Sequence, residues 1–508
     1  MPIVRNPSMS SRRCGETLAS IVGGLAALSL SLVVWGASTA SFAAEDPEVL
    51  FRQGRVSEAL QLASSQAAGD PTDLEAQELM IDVLINVGQQ ARAEQVARLR
   101  LEDDPGNPDA HYLLGRARVD PISSRQAYEA ALHLSPGHAR AYMGMGSIHE
   151  AAADFDEAAA AYARAVSMDP SLGEAWYGHT RILAQQGKIA AALQVARAGL
   201  EAVPSEPDLS LLVARLDPAS ALEVLSAALA QVGADPYLHE ALSQAYLTEG
   251  SADEALAQAR AALALNPNLI DARRTLLFAR EVAAGVLPHA QLAALGAARE
   301  LEATDPEAAL ARYPAILAEA PRSAMATLSR AAAHRAAGDR ASELVDLLAA
   351  AALDPTNDEV AAVTGLALID AGRAAEAVEP LTTAMEQRPW DGTLGLGLAR
   401  ALEAAGHPGD ALALLERVGA AHPQNVPIQL AHAQALIHAG QHARAYGVLK
   451  VAMQVVPDPR LVAAFVKVAP LAGHAGEAAA VLAPVAEQTS NPALAEAVQQ
   501  LRAMAREP

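Results

Sequence analysis

Residues 139–172 read ARAYMGMGSIHEAAADFDEAAAAYARAVSMDPSL, and the fold follows from this stretch. Tyr142, Met145, Gly146 and His149 recur at three- and four-residue spacing, the apolar stripe of one amphipathic helix. Asp154 breaks it. A second helix carries Ala158, Tyr162, Ala165 and Val166 on one face and stops at Asp169-Pro170, because proline disfavours helix in the residue before it. Asp-Pro or Asn-Pro recurs at Asp104, Asp169, Asn266 and Asp354, which predicts a capping side chain there at the start of the next helix. Two helices of about 13 residues, each roughly 20 Å long, cannot bury both apolar faces as an isolated pair. Stacking on neighbours is required.

Proline marks the period of the stack. Pro71, Pro105, Pro136, Pro170, Pro204, Pro236 and Pro267 form one series and Pro321, Pro355, Pro389, Pro423, Pro457 and Pro492 a second; steps run from 31 to 35 residues, with one of 54 between the series. Glycine keeps the register, 17 residues before eight of these prolines: Gly54, Gly88, Gly187, Gly250, Gly338, Gly372, Gly406 and Gly440. Each is expected to end one helix. Alanine stands 12 before nine of them, at Ala59, Ala93, Ala158, Ala192, Ala255, Ala309, Ala377, Ala411 and Ala445, where a small side chain lets two helices approach. A chain of units that each touch only adjacent units is a solenoid, stable approximately as a sum of unit and interface terms.

The unit resembles the tetratricopeptide repeat: Trp176 in one copy, Leu114-Gly115 in another, and Ala158, Tyr162, Ala165 and Pro170 in a third stand at that family's marked places. The resemblance covers nearly all of residues 45–493 and implies an all-α fold, a right-handed superhelix of stacked helix-turn-helix repeats. Residues 45–269 are then an N-terminal array, 270–289 an irregular helical connector, 290–493 a C-terminal array and 494–508 a capping helix. The copy between Pro105 and Pro136 is three residues short, which predicts a trimmed turn at Asp120-Pro121; another short copy is stunted at Leu216-Asp217-Pro218. The 54-residue step holds an additional helix near residues 270–284 before Pro288 resets the register.

Residues 1–43 differ from the rest. Arg5, Arg12 and Arg13 precede an uncharged stretch, 18–35, followed by Ser41-Phe42-Ala43, the pattern of an export signal cleaved after Ala43. Retention as an anchor is the alternative, since 18 uncharged residues approach the roughly 20 that span a bilayer. Gly15 and Glu16 replace the apolar residues of a twin-arginine signal, so export of the Sec type is expected. The sole cysteine, Cys14, leaves with the signal, and the mature chain has neither thiol nor disulfide. The expected site is the periplasm, with no membrane insertion after cleavage.

The 508-residue chain has 37 Lys+Arg against 59 Asp+Glu, a formal charge of −22, with only 3% aromatic residues. That excludes the basic footprint and stacking platforms that hold nucleic acid. Only Lys188, Lys450 and Lys467 are lysines, beside abundant Arg and Ala, the bias of a GC-rich bacterial gene.

No segment outside the repeat is large enough for a catalytic domain. His149-Glu150 lacks the second histidine of a zinc-protease helix, Ala153 standing in its place. Gly187-Lys188 lacks the glycine that opens a phosphate loop, and Gly392, Gly395 and Gly397 form no dinucleotide fingerprint. His407, His422, His432, His438, His442 and His474 are concentrated in one region but fall at dissimilar places in the repeat, so they are read as single histidines and no metal or cofactor is expected.

In the family that the unit resembles, the first helix of each pair lines a concave groove. Its inward places hold Arg140, Tyr177, Arg181, Gln185, Tyr237, Gln244, Arg335, Arg400, Glu403, Gln434 and His438, a candidate protein-binding surface. Arg pairs carboxylates bidentately and Tyr joins apolar area to a hydroxyl, which suits an extended peptide. Ala362, Leu366 and Ile369 add an apolar run favouring a helix or another solenoid as partner. The Lys/Asn clamp for a carboxyl terminus is missing, which disfavours chaperone-tail recognition. The leading expectation is a non-enzymatic scaffold of the bacterial cell envelope, holding a protein or peptide partner from a secretion or assembly complex such as those for exopolysaccharide, pili or outer-membrane components. The alternative is a small-molecule or saccharide binding protein or enzyme with a pocket near residues 270–320, using Phe278 and Tyr313.

Overall fold

The computed structural model describes residues 46–70, 72–456, 458–489 and 492–505. The expected export signal, 1–43, lies outside the described residues. Among them every regular element is a helix and no strand occurs. No helix among the described residues is long and apolar enough to cross a membrane. Contacts divide the chain into two compact units, one ending at His289 and the other beginning at Ala290. Each is an all-α solenoid in which a helix packs on the next in sequence and on the next but one, as Ala139–Ala151, Phe155–Met168 and Gly173–Gln185 do.

The turn inside each pair is set by backbone conformation. All eight glycines 17 residues before a proline have positive φ, between +71° and +87°. Here a Cβ is strained and glycine is not. In the 139–172 copy the place is held by Ala153, at φ +62°. Ala153 N–H donates to the Glu150 carbonyl and Asp154 N–H to that of His149, both at 2.9 Å, which closes the end of Ala139–Ala151 in the Schellman pattern.

The alanine mark is where the two helices of a pair touch. All nine alanines in that place are 0% exposed. In the copy ending at Pro355 the place holds Glu343 instead, 1% exposed, its carboxylate taking Arg335 Nε at 2.5 Å and Arg340 Nη1 at 2.8 Å. A buried carboxylate is tolerated there because two guanidinium groups neutralise it.

Consecutive copies are locked by tyrosine. Tyr128 and Tyr162, 34 apart, are both buried and each ring lies between two glycine-bearing helices. A Cβ on Gly115 would stand 2.5 Å from the Tyr128 ring, and one on Gly144 would meet its other side at least as closely; Gly146 and Gly178 flank Tyr162 at 2.8 and 2.6 Å. Glycine at these places is a requirement of close approach.

Two expectations need correction. The Asp and Asn before proline do not start the next helix: Asp104, Asp169, Asn266 and Asp354 are C-caps of the preceding one. Asp169, Asn266 and Asp354 instead accept the backbone N–H two residues on, an Asx turn around the proline. The N-cap comes two residues after the proline, and its side chain caps at Asp73, Asn107, His138, Ser323, Asn357, Asp391 and Asn425. The three missing residues of the Pro105–Pro136 copy also come from a helix rather than a turn: Pro108–Ala117 has 10 residues where Ala139–Ala151 has 13. Three residues are close to one helical turn, so the shorter helix keeps its buried face. Pro207–Leu216 is the second stunted first helix, again 10 residues, ending at Asp217-Pro218 as expected.

Within the 54-residue step, Ile270–Ala283 is a helix packed on Pro236–Glu249 and Ala252–Leu265. The chain closes on Pro492–Met504, which buries Val498 and Leu501 and exposes Glu496, Gln499, Gln500 and Arg502.

Candidate protein-binding surface

In the N-terminal unit the inner places of the first helices are bridged by ion pairs that cross from copy to copy. Arg140 donates from Nε to Glu78 Oε2 at 3.0 Å, two first helices away. Glu78 also accepts the Tyr112 hydroxyl. Arg116 holds Asp82 bidentately at 2.7 and 2.6 Å and reaches Glu174 at 3.3 Å. Arg181 donates to Glu150 Oε2 at 2.6 Å and lies 5.5 Å over the Tyr177 ring. Burial pushes the Glu150 carboxyl up while Arg181 pulls it down. Charged groups this shielded are held because each has an opposite partner.

Of the candidate residues in this unit, Arg140 and Arg181 are therefore engaged internally, and Tyr177 is covered on one face. Tyr237 lies under the guanidinium of Arg52, 5.1 Å from ring centre to Cζ. Gln185 and Gln244 are exposed, Gln244 donating to Glu240 at 3.1 Å. Burial, with help from Asp271, raises Glu240 to about 7. Glu78, Asp82, Arg116 and Glu174 are absent from the expected set, although a signal for them existed. Glu78 to Tyr112 and Asp82 to Arg116 are both steps of 34, one period, so they occupy equivalent places in consecutive copies.

The C-terminal unit differs. Arg335 is drawn to Glu343. Arg400 and Glu403 on Gly392–Ala404 and Gln434 and His438 on Val426–His438 are all exposed, and these two helices pack side by side. Gln434 Nε2 and His438 Nε2 stand 2.7 Å apart. A cation, an anion, an amide and an imidazole are thus exposed on two adjoining helices. Ala362 does not join them, being 4% exposed in the core, while Leu366 and Ile369 are half-buried beside Gly397 of the next copy.

Neither aromatic of the saccharide alternative is presented to solvent. Phe278 is 6% exposed, and Tyr313 is fully buried with its hydroxyl on Glu302 at 2.9 Å. No group of three metal-ligating side chains occurs among the described residues. His422 is turned to the Trp390 carbonyl at 2.8 Å, His474 is stacked 4.7 Å from Tyr446, and His432 is buried.

Tetratricopeptide repeat family models match residues 50–118, 368–425 and 403–467, and 123–172, 145–207 and 210–270. Together they span more than half of the chain. The chain belongs to the tetratricopeptide repeat family. No curated protein matches it by sequence. Among solved structures, one of Naa15/Naa10 bound to HypK-THB is similar at 14% identity, covering 90% of this chain and 77% of that one, with a TM-score of 0.31. The Pseudomonas aeruginosa pilF structure is 19% identical over 39% of this chain and 95% of that one, with a TM-score of 0.31. MamA MSR-1 C2 is 20% identical over 33% and 96%, with a TM-score of 0.30. Tetratricopeptide repeats make this chain a protein–protein interaction scaffold, and the family is generally non-catalytic.

Proposed function

We propose that this chain is exported to the bacterial periplasm and serves there as a non-catalytic scaffold in envelope assembly, of the kind that accompanies export of polysaccharide, pili or outer-membrane components. The partner is a protein or peptide segment held on inner faces of the repeats. The observation that carries this reading is the exposure of Arg400, Glu403, Gln434 and His438 on two adjoining first helices. They supply donors and acceptors for a peptide backbone and both signs of charge for its side chains. The inner face of the N-terminal unit has its arginines already paired, so the C-terminal face takes the partner first. Export rests on the Arg5, Arg12 and Arg13 region, the uncharged 18–35 stretch and Ser41-Phe42-Ala43.

The test is cross-linked recovery of partners from the envelope fraction with the full chain, an Arg400→Ala plus Gln434→Ala variant and a Tyr177→Ala plus Arg181→Ala variant. Loss of a recovered protein in the first variant and its retention in the second is the expected result. Equal recovery in all three rules out the groove, and a chain found only in the cytosolic fraction rules out export.

A further inference from the structure

In an open solenoid each copy touches its neighbours and nothing beyond them. In the N-terminal unit ion pairs such as Arg140 with Glu78 already skip one copy, and Arg52 reaches much farther. Arg52, at the end of the six-residue helix Pro47–Arg52, bonds through Nε to Asp235 and through Nη1 to Asp208 at 2.9 Å, across 183 and 156 residues of chain. Its carbonyl accepts Asn266 Nδ2 at 3.1 Å, and the Asn266 side chain fills the space beside Gly54, 3.1 Å from where a Cβ would stand. Its guanidinium covers Tyr237. The side chains of Arg52 and Asp235 are 11% and 3% exposed. Asp208 and Asp235 stand at the starts of Pro207–Leu216 and Pro236–Glu249, and Asn266 caps the end of Ala252–Leu265, all helices of the last copies of the unit. The first copy is thus joined end to end with the last.

The joint is charged rather than greasy, and it is not fully satisfied. The apolar side of Pro47–Arg52 is spent locally: Leu50 packs with Ala59 and Val83 of the first copies. Across the joint stand the guanidinium, two carboxylates, an amide and one ring. Arg52 Nη2 is buried without a hydrogen-bond partner. Glu48, one turn before Arg52, is raised first by its own burial; Arg52 pulls it down, while Asp46 beside it and Glu174 and Asp208 push it up. Glu206 adds to them, pushed up to about 7 by burial and by Asp208, Glu48 and Glu174. Among the described residues, Arg52 is the group that bridges the two ends through Asp208 and Asp235.

We propose that Arg52 is a latch that closes the N-terminal array end to end, and that its release opens the inner face of that array to a partner segment. The second half rests on the reading of the inner faces as protein-holding surfaces; the closure itself is measured with no partner present. Ser57 and Asn268 are exposed on the two sides of the joint. In the full chain with Cys14→Ser, which removes the sole thiol, Ser57→Cys and Asn268→Cys carry spin labels and their separation is read by double electron–electron resonance. The expected result is one narrow short distance, shifted longer and broadened by Arg52→Ala and by Asp208→Asn, with unchanged helix content. Should Arg52→Ala lose helix, Asp208→Asn, which keeps the side chain's size, is read alone. Distributions for the folded variants that overlay the parent overturn the latch. Labels that move while no partner is recovered leave the latch standing and remove the groove; labels that stay while a partner is recovered do the reverse.

Discussion

Ala153→Gly should stabilise the protein, and its reverse in the next copy, Gly187→Ala, should destabilise it by a similar amount. Ala153 is exposed at φ +62°, and Gly187 has φ +74° at the same place one period on, with nothing within 4 Å of where its Cβ would stand. Neither change alters packing, so the backbone term is isolated. A left-handed alanine costs about 1–2 kcal/mol. Glycine returns about 0.4–1 kcal/mol of that through the greater freedom of its unfolded chain. The net is about 0.5–1 kcal/mol in favour of Ala153→Gly and the same against Gly187→Ala. Urea unfolding followed by circular dichroism reads the sign. Native-state hydrogen exchange at Asp154 should slow about two- to fivefold in Ala153→Gly. A neutral or destabilising Ala153→Gly would show that this turn is not left-handed and that the 17-residue register between turn and proline fails in the copy used to define it.

Gly178→Ala should cost about 1–3 kcal/mol of stability by overpacking, because its Cβ would come 2.6 Å from a Tyr162 ring that Gly146 blocks on the other side; Tyr162→Leu in the same chain should recover part of the loss in a melting experiment. His432 is held below its ordinary value, first by burial, so the unfolded chain takes up the proton first and stability is lost as pH falls from the ordinary histidine value through the folded one; His432→Gln should lessen that acid sensitivity in denaturation at pH 7.5 and 5.5, with His179, lowered in the same way, accounting for part of what remains. Glu206 has the opposite sign: raised to about 7, it gives stability that is complete below its ordinary value of 4.5 and lost as pH rises through 7, so Glu206→Gln should raise the melting temperature at pH 8 and not at pH 4.

What was legible in the sequence was local and periodic. The nine alanines 12 residues before proline are all at zero exposure because the same helix crossing recurs wherever the same small residue does. The eight glycines are all left-handed for the same reason. Asp-Pro was misplaced because an aspartate both caps helices and builds Asx turns, and the true cap, two residues beyond proline, varies among Asp, Asn, Ser and His. Helix and turn also trade three residues at little cost, so the length of the short copy could not say which of them lost it. The pairing of the candidate residues was not legible: Arg140 and Arg181 were singled out, but not Glu78 and Glu150, which pair with them. Which of two inward charges finds a partner depends on how far each copy rotates against the next. The joint at Arg52 depends on that rotation summed over every copy between residues 52 and 266, and no single window of sequence contains it.

Tyr128 and Tyr162 each need a bare backbone on both sides, one supplied by their own copy and one by the following copy. Such a wedge makes the order of modules matter. Duplication or loss of a whole 34-residue module is harmless only where the new neighbour also brings a glycine to the seam. The stretch from Gly115 to Gly178 is therefore the part of the chain least free to shuffle its modules, and the part whose spacing a descendant should keep longest.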